Sequence, residues 1–142
     1  MRQSGLHDLV DPGPGEGKEH VDIPTYGKNL VELFKRFSVK AKTVIWTTTT
    51  PCPNVTTSLG RSDAKVRAYN AEAEKVLSAA ANGHLVVDDL YEAVDQYCGA
   101  NYKACVLQRP KNVHLTAQGC EFTGEHVVAT VLKALGRLGH PV

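Results

Sequence analysis

Two short segments rich in β-branched residues lie on either side of a long helical stretch, and this alternation constrains the fold more than any other feature. The first, within "KTVIWTTTTP", predicts a strand over Thr43–Thr48 that ends before Pro51; the second, "HLVVDD", predicts a short strand running into Asp88 and Asp89. Strands joined through a crossover helix lie parallel. The chain is therefore read as α/β, with function expected at the carboxyl ends of the strands.

The helices follow from apolar spacing. From Tyr26, "YGKNLVELFKRFSVKA" places Leu30, Leu33, Phe34 and Phe37 on one stripe. Ser62 is placed to cap a long helix carrying Val66, Tyr69, Ala73, Val76 and Ala80, with Gly83 as its stop. "LYEAVDQYCG" gives a helix of about three turns, since one turn takes roughly 3.6 residues. Thr116 can cap the last helix, where Val128, Val131, Leu132, Leu135 and Leu138 are expected to face the core. Residues 1–25, dense in Gly, Pro and charge, read as a loop-rich N-terminal segment.

Only two strands are legible, too few to shield the faces and edges of a doubly wound sheet. Residues 1–142 are thus expected to form a single partial domain, truncated at its N-terminus, or one whose first strands are replaced by "MRQS". With 16 Lys and Arg against 15 Asp and Glu, in no long block, nothing argues for a nucleic-acid partner. No run approaches the roughly 18 apolar residues of a membrane span, and the first residues lack the apolar centre of a signal peptide.

Cys98 and Cys105 bracket "GANYKA", a loop that a disulfide could close in an oxidising compartment and that two free thiols would leave open. Asn54-Val55-Thr56 is a glycosylation sequon suited to the same compartment. His7, Asp8 and Asp11 have a spacing that metal ligands can show, but no second ligand cluster accompanies them, so neither metal nor cofactor is expected.

"GLHDL" at Gly5–Leu9, the strand ending "TTTTPCP", "GRSDAKVRAYN", "LVVDDLY" and "VHLTAQGCEF" follow in an order and spacing that resembles the later blocks of the SGNH, or GDSL-type, esterases and lipases. The resemblance runs over nearly the whole chain. It implies a three-layer α/β/α, flavodoxin-like parallel sheet and serine-dependent cleavage of carboxylic esters, with a small-molecule, lipid or carbohydrate ester as substrate of the full-length parent. It leaves the compartment open, a secreted or lumenal parent being compatible.

The resemblance assigns roles position by position. Alone, His114 reads as a packing residue between Val113 and Leu115; among these blocks it matches the family's catalytic base, an imidazole that takes the proton of a serine hydroxyl. Where the family places the orienting Asp, three residues earlier, this chain has Lys111. Two arrangements could replace it: a serine–histidine dyad whose imidazole is held by a backbone carbonyl, or an acid from Asp88 or Asp89 at the end of the second strand, a pair that capping of the following helix explains better. His7 stands where the family's oxyanion-binding Asn would be, and an imidazole can donate the same hydrogen bond. No GDS serine block is present: Ser4 lacks a preceding strand, Ser58 lies in the loop that leads to the long helix, and capping accounts for Ser62.

The resulting expectation is an SGNH-type esterase segment that is inactive by itself because it carries no nucleophile. A non-catalytic ligand-binding or interaction domain on the same scaffold is the alternative, favoured by Lys111. A truncated product with an exposed, aggregation-prone sheet edge is a third reading.

Overall fold

A computed structural model describes residues 5–10, 21–52, 61–99, 105–110 and 112–137. The described order is α1 (Gly5–Asp8), α2 (Ile23–Ser38), β1 (Val44–Thr47), α3 (Asp63–Ala80), β2 (Leu85–Asp88), α4 (Leu90–Cys98) and α5 (Ala117–Arg137). The fold is mixed α/β. β1 and β2 pair in parallel, with Val44 opposite Leu85 and Thr47 opposite Asp88.

Local chemistry sets the helix limits. Asp22 begins α2, its carboxylate accepting from the Thr25 amide at 2.8 Å, with Pro24 in the first turn where no amide is needed. The helix thus starts three residues before Tyr26, and α1 adds a short turn inside the segment read as loop. Ser62 caps α3 through the Lys65 amide at 3.2 Å. After α3, Asn82 and Gly83 take left-handed φ values of 37° and 84°, which turn the chain back into β2.

Side chains alternate along a strand, so each strand serves two environments. Val44, Trp46 and Leu85 pack with Phe34, Leu77 and Ala81 against α2 and α3. Thr47 and Asp88 point the other way, Thr47 bonding Asp88 and Asp88 meeting α5 through Thr130. The amides of Val44 and Thr48 donate to His84 and Asp88 carbonyls, so those of Ile45 and Thr47 face away from β2. Among the described residues no third strand meets that edge.

The apolar stripes are covered unevenly, and the expectation for the last helix needs correction. On α2, Phe34 is buried and Leu30 half-buried, but Leu33 and Phe37 are 48% and 58% exposed. α2 packs mainly on α3, so only a narrow part of its stripe is covered. On α5 the stripe faces outward: Val128, Val131, Leu132 and Leu135 are all exposed, and the buried residues are Gly119, Thr123 and Ala134. Leu138 lies outside the described residues. The helix is held to β2 by a polar face, because Asp88 at the strand end needs hydrogen-bond donors. No helix among the described residues is long and apolar enough to cross a membrane.

Candidate functional site

The four consecutive threonines after Trp46 organise the carboxyl end of the sheet. The Thr47 hydroxyl donates to Asp88 Oδ2 at 2.9 Å. The Thr48 hydroxyl accepts from the Tyr91 amide at 2.7 Å and donates to Asp89 Oδ1 at 3.1 Å. Thr49 is held through its backbone: its amide donates to Asn70 Oδ1 and its carbonyl accepts from Asn70 Nδ2, each at 2.9 Å. Thr50 is buried, as are Pro51 and Cys52 after it. Burial pushes the Cys52 thiol above its ordinary range, which leaves it a weak nucleophile near neutral pH.

One apolar cluster gathers the sequence blocks at this end of the molecule. Leu6 and Leu9 from "GLHDL", Cys52 from "TTTTPCP", Val66 and Tyr69 from "GRSDAKVRAYN", and Tyr91 from "VVDDLY" share it, with Val113 packed against them. Arg61 adds a polar tie, its Nε donating to the Leu6 carbonyl at 2.8 Å. Under the cluster, Asp63 accepts from the Tyr91 hydroxyl at 2.9 Å and from Arg67 Nε at 2.8 Å. Burial and this carboxylate raise the Tyr91 phenol well above its usual range, so Tyr91 serves as a fixed donor.

His114 follows Val113 and is exposed. Its backbone is fixed on both sides: the amide donates to Asn112 Oδ1 at 3.0 Å, and the carbonyl accepts from the Arg109 amide at 2.9 Å. An antiparallel bridge between Gln108 and Leu115 closes the loop. Gln108 is buried and reaches across to the Pro51 carbonyl, with Nε2 at 2.7 Å, which ties the His114 loop to the loop after β1. Thr116 caps α5 through the Gly119 amide at 3.0 Å.

Neither proposed acid holds this imidazole. Asp88 is buried with both oxygens engaged: Oδ2 by Thr47, and Oδ1 by Thr130 at 2.8 Å and by His126 Nε2 at 3.1 Å. Asp89 caps α4, accepting from the Glu92 amide at 3.2 Å as well as from Thr48. β2 thus ends with Asp88 turned to α5 and Asp89 on the cap of α4. Among the described residues no hydrogen bond reaches the His114 ring.

The backbone of His7 lies in α1, next to Leu6 in the shared cluster, while its side chain lies outside the described part of the structure. Lys111, Asn54, Asp11, Ser4 and Ser58 also lie outside it. Cys98 and Cys105 form a disulfide with a Cα–Cα distance of 5.2 Å, joining the end of α4 to the start of the His114 loop. Among the described residues no group of three or more His, Cys, Asp or Glu side chains is placed to hold a metal ion.

His126, Asn70 and Gln108 are the residues that sequence reasoning missed. Pairing His126 with Asp88 requires knowing which face of α5 turns inward, and the apolar stripe points to the wrong face. Asn70 and Gln108 act on backbone groups 21 and 57 positions away, and no local pattern reports that. Comparison of the chain with protein-family models, curated proteins and solved structures finds no match.

Proposed function

We propose that these residues form the later part of an SGNH-type ester hydrolase domain with a three-layer α/β/α architecture, in which His114 is the base and His7 a donor to the oxyanion. The observation that supports this reading is the shared cluster. Residues from all five sequence blocks meet in one apolar core, which puts the His7 helix and the His114 loop against the same packing unit. Such convergence is what a site assembled from separate loops requires.

In this reading His114 takes a hydroxyl proton while a carboxylic ester is attacked, and a histidine ring at position 7 donates to the oxygen that becomes negative. Asn112 and Arg109 fix the His114 backbone, which sets the point from which the imidazole projects. The 142 residues contain no GDS serine block, so no acyl-enzyme forms on them alone.

The test uses a tetrahedral phosphonate monoester as analogue of the intermediate. Its addition should shift the ring resonances of His7 and His114 together, and unmoved rings would sink the reading. The chain should leave p-nitrophenyl butyrate at the blank rate; turnover lost in His114→Ala would disprove the absence of catalysis.

A non-catalytic ligand-binding domain is the second reading, favoured by a cation at position 111. It expects Lys111→Asp to abolish binding of the phosphonate, whereas the hydrolase reading expects binding to persist.

A further inference from the structure

We infer that the Cys98–Cys105 disulfide is a redox-sensitive latch that holds the His114 loop on the body of the protein. Among the described residues, the segment from Cys105 to Thr116 makes its backbone hydrogen bonds internally or with the start of α5. The Gln108 amide donates to Cys105, Arg109 to His114, Asn112 to Arg109, and Thr116 to Leu107; the Thr116 hydroxyl donates to Val106. Bonds of this short range hold only while the ends of the segment are clamped to the body.

Its attachments to the rest of the molecule are fewer. Among the described residues they are the Gln108 side chain on Pro51, the packing of Leu107 and Val113, and the disulfide to α4. The covalent tie enters two residues before Leu107, whose carbonyl lies directly under Gly119 at the start of α5. α5 is coupled to the same place through the Tyr97–Phe122 ring pair at 5.0 Å and Gln118 Nε2 on the Tyr97 hydroxyl. One bond therefore fixes the end of α4, the loop and the entry to α5 together.

The latch opens by thiol–disulfide exchange with a dithiol reductant. One thiolate attacks a cystine sulfur to give a mixed disulfide, and the second displaces the protein sulfur. Two electrons and two protons pass to Cys98 and Cys105, which become thiols, and the dithiol leaves as its cyclic disulfide. β1 and β2 lie outside this tie, and their ladder stays closed while the loop opens. That the opening also switches a catalytic base rests on the hydrolase reading; the latch itself does not.

Amide hydrogen exchange of the full chain tests it, with and without dithiothreitol, and in the Cys98→Ser/Cys105→Ser variant. Arg109 and Thr116 amides, bonded within and beside the loop, should exchange on the order of tenfold faster or more when the bond is open. Val44 and Thr48 amides, bonded across the β1–β2 ladder, should be unchanged. Equal rates at Arg109 and Thr116 in both states would overturn the latch. So would equal acceleration at Val44 and Thr48, in the reduced protein or in a serine variant that fails to fold, because the disulfide would then be a global staple. Since no ligand enters this experiment, its failure leaves the phosphonate result standing, and the reverse also holds.

Discussion

Gly119 lies against the carbonyl of Leu107, and a Cβ added at position 119 would collide with that backbone oxygen and approach the carbonyl carbon to 2.8 Å. The first turn of α5 can rest on the His114 loop because residue 119 has no side chain. Backbone cannot yield as the tip of a flexible side chain can. Gly119→Ala is therefore expected to cost about 2–3 kcal/mol in urea-induced unfolding. Gly124, five residues further along with nothing within 4 Å of an added Cβ, gives the opposite sign: Gly124→Ala should stabilise by about 0.5–1 kcal/mol.

Asp88 and Asp89 are adjacent in sequence and differ sharply in consequence. Asp88 is buried and accepts from Thr47 and Thr130 beside His126, whereas Asp89 is an exposed cap. Asp88→Ala strands three polar partners and should cost about 3 kcal/mol or more. Asp89→Ala should cost about 1 kcal/mol. Equal losses in denaturant midpoint would contradict the assignment of Asp88 as the anchor for α5.

These partnerships mark the limit of what sequence alone conveys. The two strands, the Ser62 and Thr116 caps and the turn at Gly83 were legible, because each depends on residues within a few positions, and the parallel pairing followed from the helix that crosses over between the strands. The threonine run read only as β-propensity, although Thr47 and Thr48 act through hydroxyls on β2 and α4. No local pattern marks Asn70, whose role as a two-point clamp on Thr49 follows from tertiary placement. His114 was legible as a position, and its fixed backbone is local; what its ring faces was not.

Tyrosine ionisation should register the packing of α2 on α3. Burial, then the Asp8 carboxylate and Tyr69, push the Tyr26 phenol from 10.0 up to about 12, and its ring lies 5.0 Å from that of Tyr69. A raised pKa means that the folded state keeps its proton after the unfolded chain has lost it. The contribution is thus fully present below pH 10 and is lost as pH rises through about 12. Unfolding free energy should fall across that window, and Tyr26→Phe should make the fall shallower. A slope identical to wild type would refute the placement of Tyr26.

The outward stripe of α5 makes the sharpest contrast between pattern and structure. Helical spacing assigns Leu132 and Val128 to the core, yet they are 45% and 56% exposed, while Ala134 is 6% exposed on the opposite face. A core leucine changed to a charged residue would cost several kcal/mol, because the charge would have no partner away from water. On an exposed face the same change leaves the charge solvated. Leu132→Glu and Val128→Lys should each move unfolding free energy by less than about 0.5 kcal/mol. Ala134→Leu forces three extra carbons into a filled contact and should cost about 1–3 kcal/mol. The reverse ranking in thermal or urea unfolding would restore the apolar stripe to the core and remove Thr123, His126 and Thr130 from the inner face.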